Sequence, residues 1–267
     1  MMNQTPDSND HDPDAAAVDS AMADQASDVV SSDGVQDASL GRGVSGATWL
    51  ISGVVSAILL TVLAMTASGL WNKPLPPGLG LYETEEVPEE QLAADNALIL
   101  SYNSGNLLRF MVIAGGSVVL VFSLLTGVAL GRAAMGAVGA FAGIVIIAIL
   151  GMVFAPIILE WGSESGGLDA DDVPTMGRHA FQWIVFAAGA FAAVAIASGH
   201  VGTGAKVFGS LALAGIIGAV LYVLGASILE PTVTMTGSIP GAGTSLFLWT
   251  CVAPLLAGVF MWRTTTA

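Results

Sequence analysis

AMGAVGAFAGIVIIAILGMVFAPII occupies residues 134–158. It carries no charge, and it exceeds the roughly 20 apolar residues that cross about 30 Å of hydrocarbon. Five further runs lie at roughly 46–70, 107–130, 180–198, 205–229 and 243–262, each uncharged across its middle. None of the 21 Asp and Glu residues falls inside any of the six. The pattern predicts an all-α polytopic membrane protein with six transmembrane helices over residues 46–264.

Composition agrees. Of 267 residues 54% are hydrophobic and 10% charged, against about a quarter charged in a soluble domain. Six spans leave little chain for any large soluble domain. The formal charge of −14 argues against a nucleic-acid partner, whose phosphates would be repelled. The expected surroundings are a lipid bilayer and partner subunits, with the nature of any small-molecule ligand unspecified. Cys251 is the sole cysteine, so no intrachain disulfide forms.

Residues 1–45 hold nine Asp and no aromatic residue. Such a stretch buries too little apolar surface to offset ordering, and a disordered acidic tail is expected. It lacks the basic start of a secretory signal, so the first span reads as an uncleaved anchor.

The cations orient the bundle. Arg42, Arg132, Lys206 and Arg263 fall at one end, where the short connections between spans contain no acid; Lys73, Arg109 and Arg178 fall at the other with the acidic connections. The positive-inside rule then places both termini in the cytoplasm of a cell-membrane protein. Trp49, Trp71, Trp161, Trp183 and Trp262 lie near span ends, as indoles in the headgroup layer would. Trp249 lies deeper and reads as a helix-packing residue.

The first long connection contains Glu85-Glu86-Val87-Pro88-Glu89-Glu90, a helix-start signal. It predicts a short helix over about 88–102, packed on the next span or lying in the interface. Asp171-Asp172-Val173-Pro174 repeats the motif in the second long connection, and Ile158-Leu159-Glu160 matches Ile228-Leu229-Glu230. These matches suggest duplicated helical hairpins. Asp169-Ala170-Asp171-Asp172 begins like a calcium loop, but Pro174 and Ala180 stand where that loop needs Gly and Glu.

Chemistry-bearing residues are sparse. His179 and His200 fall at opposite ends of the fourth run and cannot hold one haem together; both read as loop-end residues. Zinc-hydrolase and phosphate-loop patterns are missing, and no cofactor, metal or catalytic residue is expected. Gln182 marks at most a vestibule. Arg109 and Arg178 are the candidate interface residues, able to pair with a loop acid or a lipid phosphate. Gly139 and Gly143, and Ala214 and Gly218, have the four-residue spacing that lets helices approach closely. Pro156 and Pro254 are the candidate kinks.

The expected function is a non-enzymatic accessory or membrane-organising subunit; the alternative is a transporter or channel for a small solute. The threading is testable by impermeant thiol labelling of Asp19→Cys and Thr265→Cys, each in a Cys251→Ser background. Both sites should react from the same side; reaction from opposite sides would overturn an even number of crossings.

Overall fold

A computed structural model describes residues 43–71, 73–77, 88–160, 172–229, 239–240 and 245–266. Residues 1–42, most of the tail assigned to 1–45, lie outside the described residues, as do Glu85-Glu86-Val87 and most of the acidic 160–172 connection. All regular structure among the described residues is helical. Six helices are long and apolar enough to cross a membrane. They are α1 (Gly46–Thr66), α2 (Glu89–Ala129), α3 (Ala133–Glu160), α4 (Asp172–Ser198), α5 (Val201–Leu229) and α6 (Ser245–Thr266).

Local chemistry sets the ends. The Ser45 hydroxyl accepts from the Thr48 N–H at 3.3 Å and so caps α1. Pro88 precedes α2, and Glu89 and Glu90 place negative charge in its first turn. Gly131 and Gly199 end α2 and α4 with φ of +68° and +75°, a left-handed conformation that L side chains resist.

α2 departs from expectation. In place of a separate helix over 88–102 ahead of a span at 107–130, one helix runs for 41 residues. At 1.5 Å per residue it is about 60 Å long, roughly twice the hydrocarbon thickness. No proline or left-handed glycine stands between its two halves. Continuity costs less than a break, because a break would expose peptide groups. Its one irregularity is a π-helical turn, Met111–Gly115. Just beyond it the Ser117 hydroxyl donates to the Ala114 carbonyl at 2.7 Å and competes for the helix's own acceptors.

α4 begins at Asp172, eight residues before the expected 180. The Asp-Asp-Val-Pro motif starts this helix, with Pro174 inside its first turn. Each helix packs on its neighbours in sequence, α6 closes the ring against α1, and α2 also meets α4 across it.

Glycine permits this closeness. A Cβ at Gly143 would lie 2.5 Å from the Gly189 carbonyl oxygen, joining α3 to α4. Gly139 sits equally close to the Ala193 carbonyl. A Cβ at Gly127 would lie 2.8 Å from the Gly136 Cα, and one at Gly53 would lie 2.5 Å from the Pro254 carbonyl oxygen. At the second small-residue pair Ala214 is fully buried, and a Cβ at Gly218 would stand 3.2 Å from that of Ala253. Pro156 and Pro254 lie inside α3 and α6, and both helices continue through them.

Polar links tie the ring where the chain turns. The Ser123 hydroxyl lies 2.7 Å from the Gly136 carbonyl oxygen and 3.2 Å from that of Ala193, so one side chain joins α2, α3 and α4. Arg132 donates to the Ser198 carbonyl at 2.9 Å, a cation at a helix C-terminus. The outer face is apolar: Phe141 on α3 is 72% exposed, with Val138, Ile149 and Met152 beside it. In water such a surface would aggregate; in lipid it is the expected solvent contact.

Gly143→Val should lower stability by at least about 1–3 kcal/mol, because valine adds atoms where backbone already sits. Gly209 lies exposed on α5 with nothing within 4 Å of its Cβ position. Gly209→Ala should be neutral or gain up to about 1 kcal/mol from reduced chain entropy. Thermal unfolding of the two variants in detergent checks both signs.

Candidate functional site

The long-connection end of the bundle holds a buried cluster of rings. His179, Trp183 and Phe186 come from α4, Tyr222 from α5, Trp249 from α6 and Phe110 from α2, and all are nearly or fully buried. On α4 the spacing 179, 182, 183, 186 places His179, Gln182, Trp183 and Phe186 on one helical face. His179 lies about 10 Å along α4 from Asp172, and Tyr222 about 10 Å along α5 from Leu229, at 1.5 Å per residue. The cluster is therefore roughly level across neighbouring helices.

Trp249 is its centre. Its ring centroid lies 5.1 Å from that of Trp183, 5.3 Å from Phe110, 6.3 Å from Phe186 and 6.4 Å from His179. His179 meets Tyr222 edge-on at 4.9 Å, and Trp71 meets Phe110 at 5.7 Å. Edge-to-face and tilted contacts of this kind add about 0.5–1.5 kcal/mol beyond burial. The π-helical turn of α2 borders the cluster. Within it a Cβ at Gly115 would meet Cε1 of Phe186 at 2.7 Å, so only glycine seats there.

The indole nitrogens of Trp183 and Trp249 lack a hydrogen-bond partner in this apolar setting, while His179 has the Gln182 side chain as its hydrogen-bonding neighbour. A buried polar group left unmet costs about 1–3 kcal/mol, and native proteins keep few of them. A neutral imidazole offers one donor and one acceptor, and an indole offers only a donor. The cluster therefore holds two indole donors and one imidazole–amide pair within aromatic walls. No group of three His, Cys, Asp or Glu among the described residues could hold a metal ion.

These positions revise several expectations. His179 is fully buried and not a loop-end residue. The early start of α4 carries it two turns into the bundle. His200 stays exposed in the α4–α5 turn. Trp49, Trp71 and Trp183 are buried among protein side chains and not laid in a headgroup belt; Trp262 is exposed. The adjoining helices extend past the rings and cover them. Trp161 lies outside the described residues. Gln182 is fully buried beside His179.

The two candidate arginines are not brought together in one environment. Arg109 is exposed and donates to Asn106 Oδ1 at 3.0 Å; Asn106 in turn donates to the Lys73 carbonyl at 3.0 Å. This chain ties the exit of α1 to α2. Arg178 is only 8% exposed. The α4 face was legible as a helical stripe once the helix start was set by the Asp-Asp-Val-Pro motif. Tyr222 and Trp249 carry no such mark, because only packing brings α5 and α6 to that face.

Comparison of the chain with protein-family models, with curated proteins and with solved structures found no match. If Trp249 is the centre of packing at this end, Trp249→Ala should lower stability by about 3–5 kcal/mol, as large aromatic deletions in cores do. Trp262→Ala should change it by less than about 1 kcal/mol. Paired thermal melts in detergent compare them directly.

Proposed function

We propose that this chain is a non-enzymatic integral membrane subunit of the cell membrane, an accessory or membrane-organising component with both termini in the cytoplasm. The observation that carries the reading is the close packing of the spans. Backbone meets backbone at Gly53, Gly127, Gly139 and Gly143, leaving no room there for even a methyl group. A conduit for a solute needs helices that part or break, with freed carbonyls lining a path. Here α3 and α6 run on through Pro156 and Pro254. The apolar outer faces of α1 and α3 supply surface for lipid or for helices of another protein.

The orientation rests on the cations at the short-turn end, Arg132, Lys206 and Arg263, which stand without acidic neighbours in sequence. Extraction in mild detergent through an affinity tag, followed by native mass spectrometry, tests the subunit role. A companion protein in fixed stoichiometry is the expected outcome. A solitary chain that passes glycerol or urea across reconstituted liposomes would replace this reading with the channel alternative.

A further inference from the structure

We propose that Lys73 and Arg109 together bind a phosphate group, supplied by an anionic lipid in the leaflet at the long-connection end of the bundle. The proposal goes beyond the subunit role and does not depend on it. The two cations are far apart in sequence, and Asn106 brings them to one place. Its side chain donates to the Lys73 carbonyl at 3.0 Å and accepts from Arg109 Nη1 at 3.0 Å. Asn106 is itself only 5% exposed, so burial fixes the amide between them. Both cations are exposed. Neither pairs with a carboxylate among the described residues, although Glu89, Glu90, Asp95 and Glu160 lie at the same end. Arg109 uses one guanidinium N–H on Asn106, and its remaining donors match the oxygens of a phosphate. The flexible stem of Lys73 starts beside the carbonyl that Asn106 holds, which keeps its ammonium within reach of the same anion.

Depth points to a lipid as the source. At 1.5 Å per residue α1 runs about 30 Å from Gly46 to Thr66, the thickness of the hydrocarbon core. Lys73 follows that end, after the short turn Ser68–Leu70. On α2, Arg109 stands about 30 Å from Ala129 at the opposite end of the helix. Two helices measured separately put both cations just past the hydrocarbon, at the level of lipid headgroups. Trp71, packed edge-on against Phe110 at 5.7 Å, holds the exit of α1 to α2 at this level. Met65 and Leu70 are 66% and 58% exposed there, apolar surface for acyl chains beside the headgroup. The acidic residues of this end repel a dissolved anion, whereas a lipid is held beside the cations by its tails. A choline headgroup fits less well, because it carries its own cation toward two others.

Delipidated protein in mild detergent, titrated with phosphatidylglycerol or phosphatidylcholine and read by native mass spectrometry, tests the assignment. One phosphatidylglycerol retained per chain, in preference to phosphatidylcholine, is the expected result. Lys73→Gln and Arg109→Gln should each weaken that retention about tenfold, the effect of one lost charge-assisted hydrogen bond. Arg109→Lys keeps the charge but not the planar fork, and should weaken it less. Lys206→Gln, exposed at the opposite end, should leave it unchanged. Melting temperatures of the same variants separate lost binding from lost folding. Lys73→Gln decides the matter if Arg109→Gln loosens α2, since the fold uses only the backbone carbonyl of Lys73. Equal retention of the two lipids, or retention that ignores both Gln substitutions in folded protein, would overturn the proposal. Release of the lipid by millimolar inorganic phosphate would overturn the lipid source in favour of a dissolved phosphate.

Discussion

Hydrocarbon offers no hydrogen bond to a peptide group, so each N–H and C=O in a span must find its partner within the chain. That constraint explains why every described element that could cross a membrane is a continuous helix. It explains why helix ends are where side chains and special backbone conformations gather: Ser45 at the start of α1, Gly131 after α2, and Gly199 with Arg132 after α4. It also explains the course of α2. Nothing in residues 89–129 gives the chain an inexpensive way to stop, so the helix continues well past the length a bilayer requires.

Once the helices exist, lipid gives them little hydrophobic reason to associate, because tails are as apolar as the side chains they would displace. Close contact and polar links must supply the attraction. Both occur where α2, α3 and α4 meet: Gly127 against Gly136, Gly143 against Gly189, and the Ser123 hydroxyl between two carbonyls. The same device joins α1 to α6 at Gly53 and Gly258. At the long-connection end the solution changes. There the helices are held by large rings around Trp249, and the indole nitrogens of Trp183 and Trp249 are left without partners. Close glycine contacts join some helix pairs, and a cluster of large rings joins others.

The site was only partly legible in the chain. His179, Gln182, Trp183 and Phe186 share a helical face by spacing alone, yet the face is hidden if α4 is begun at 180. Two neighbouring acids followed by Val-Pro read as a helix start, as the same motif does ahead of Glu89. Arg109 and Arg178 looked equivalent in sequence, each near the start of a span beside an acidic connection. They differ because α2 has a long extension before Arg109 and α4 has barely one turn and a half before Arg178. One arginine therefore stands exposed on a protruding helix, and the other is covered by its neighbours.

Apolar length and the placement of charge determined, without any structure, that this chain is helical and crosses lipid six times, because the cost of a bare peptide group or carboxylate in hydrocarbon exceeds any local preference. The small residues at 139, 143, 214 and 218 were recognisable for the same kind of reason, since only they let backbones touch. Which helices touch was decided by the tertiary structure. So was the burial of Trp49, Trp71 and Trp183, whose indoles are equally at home in a headgroup layer or a protein interior. A ring near a helix end has two good environments, and only the positions of the other helices select between them.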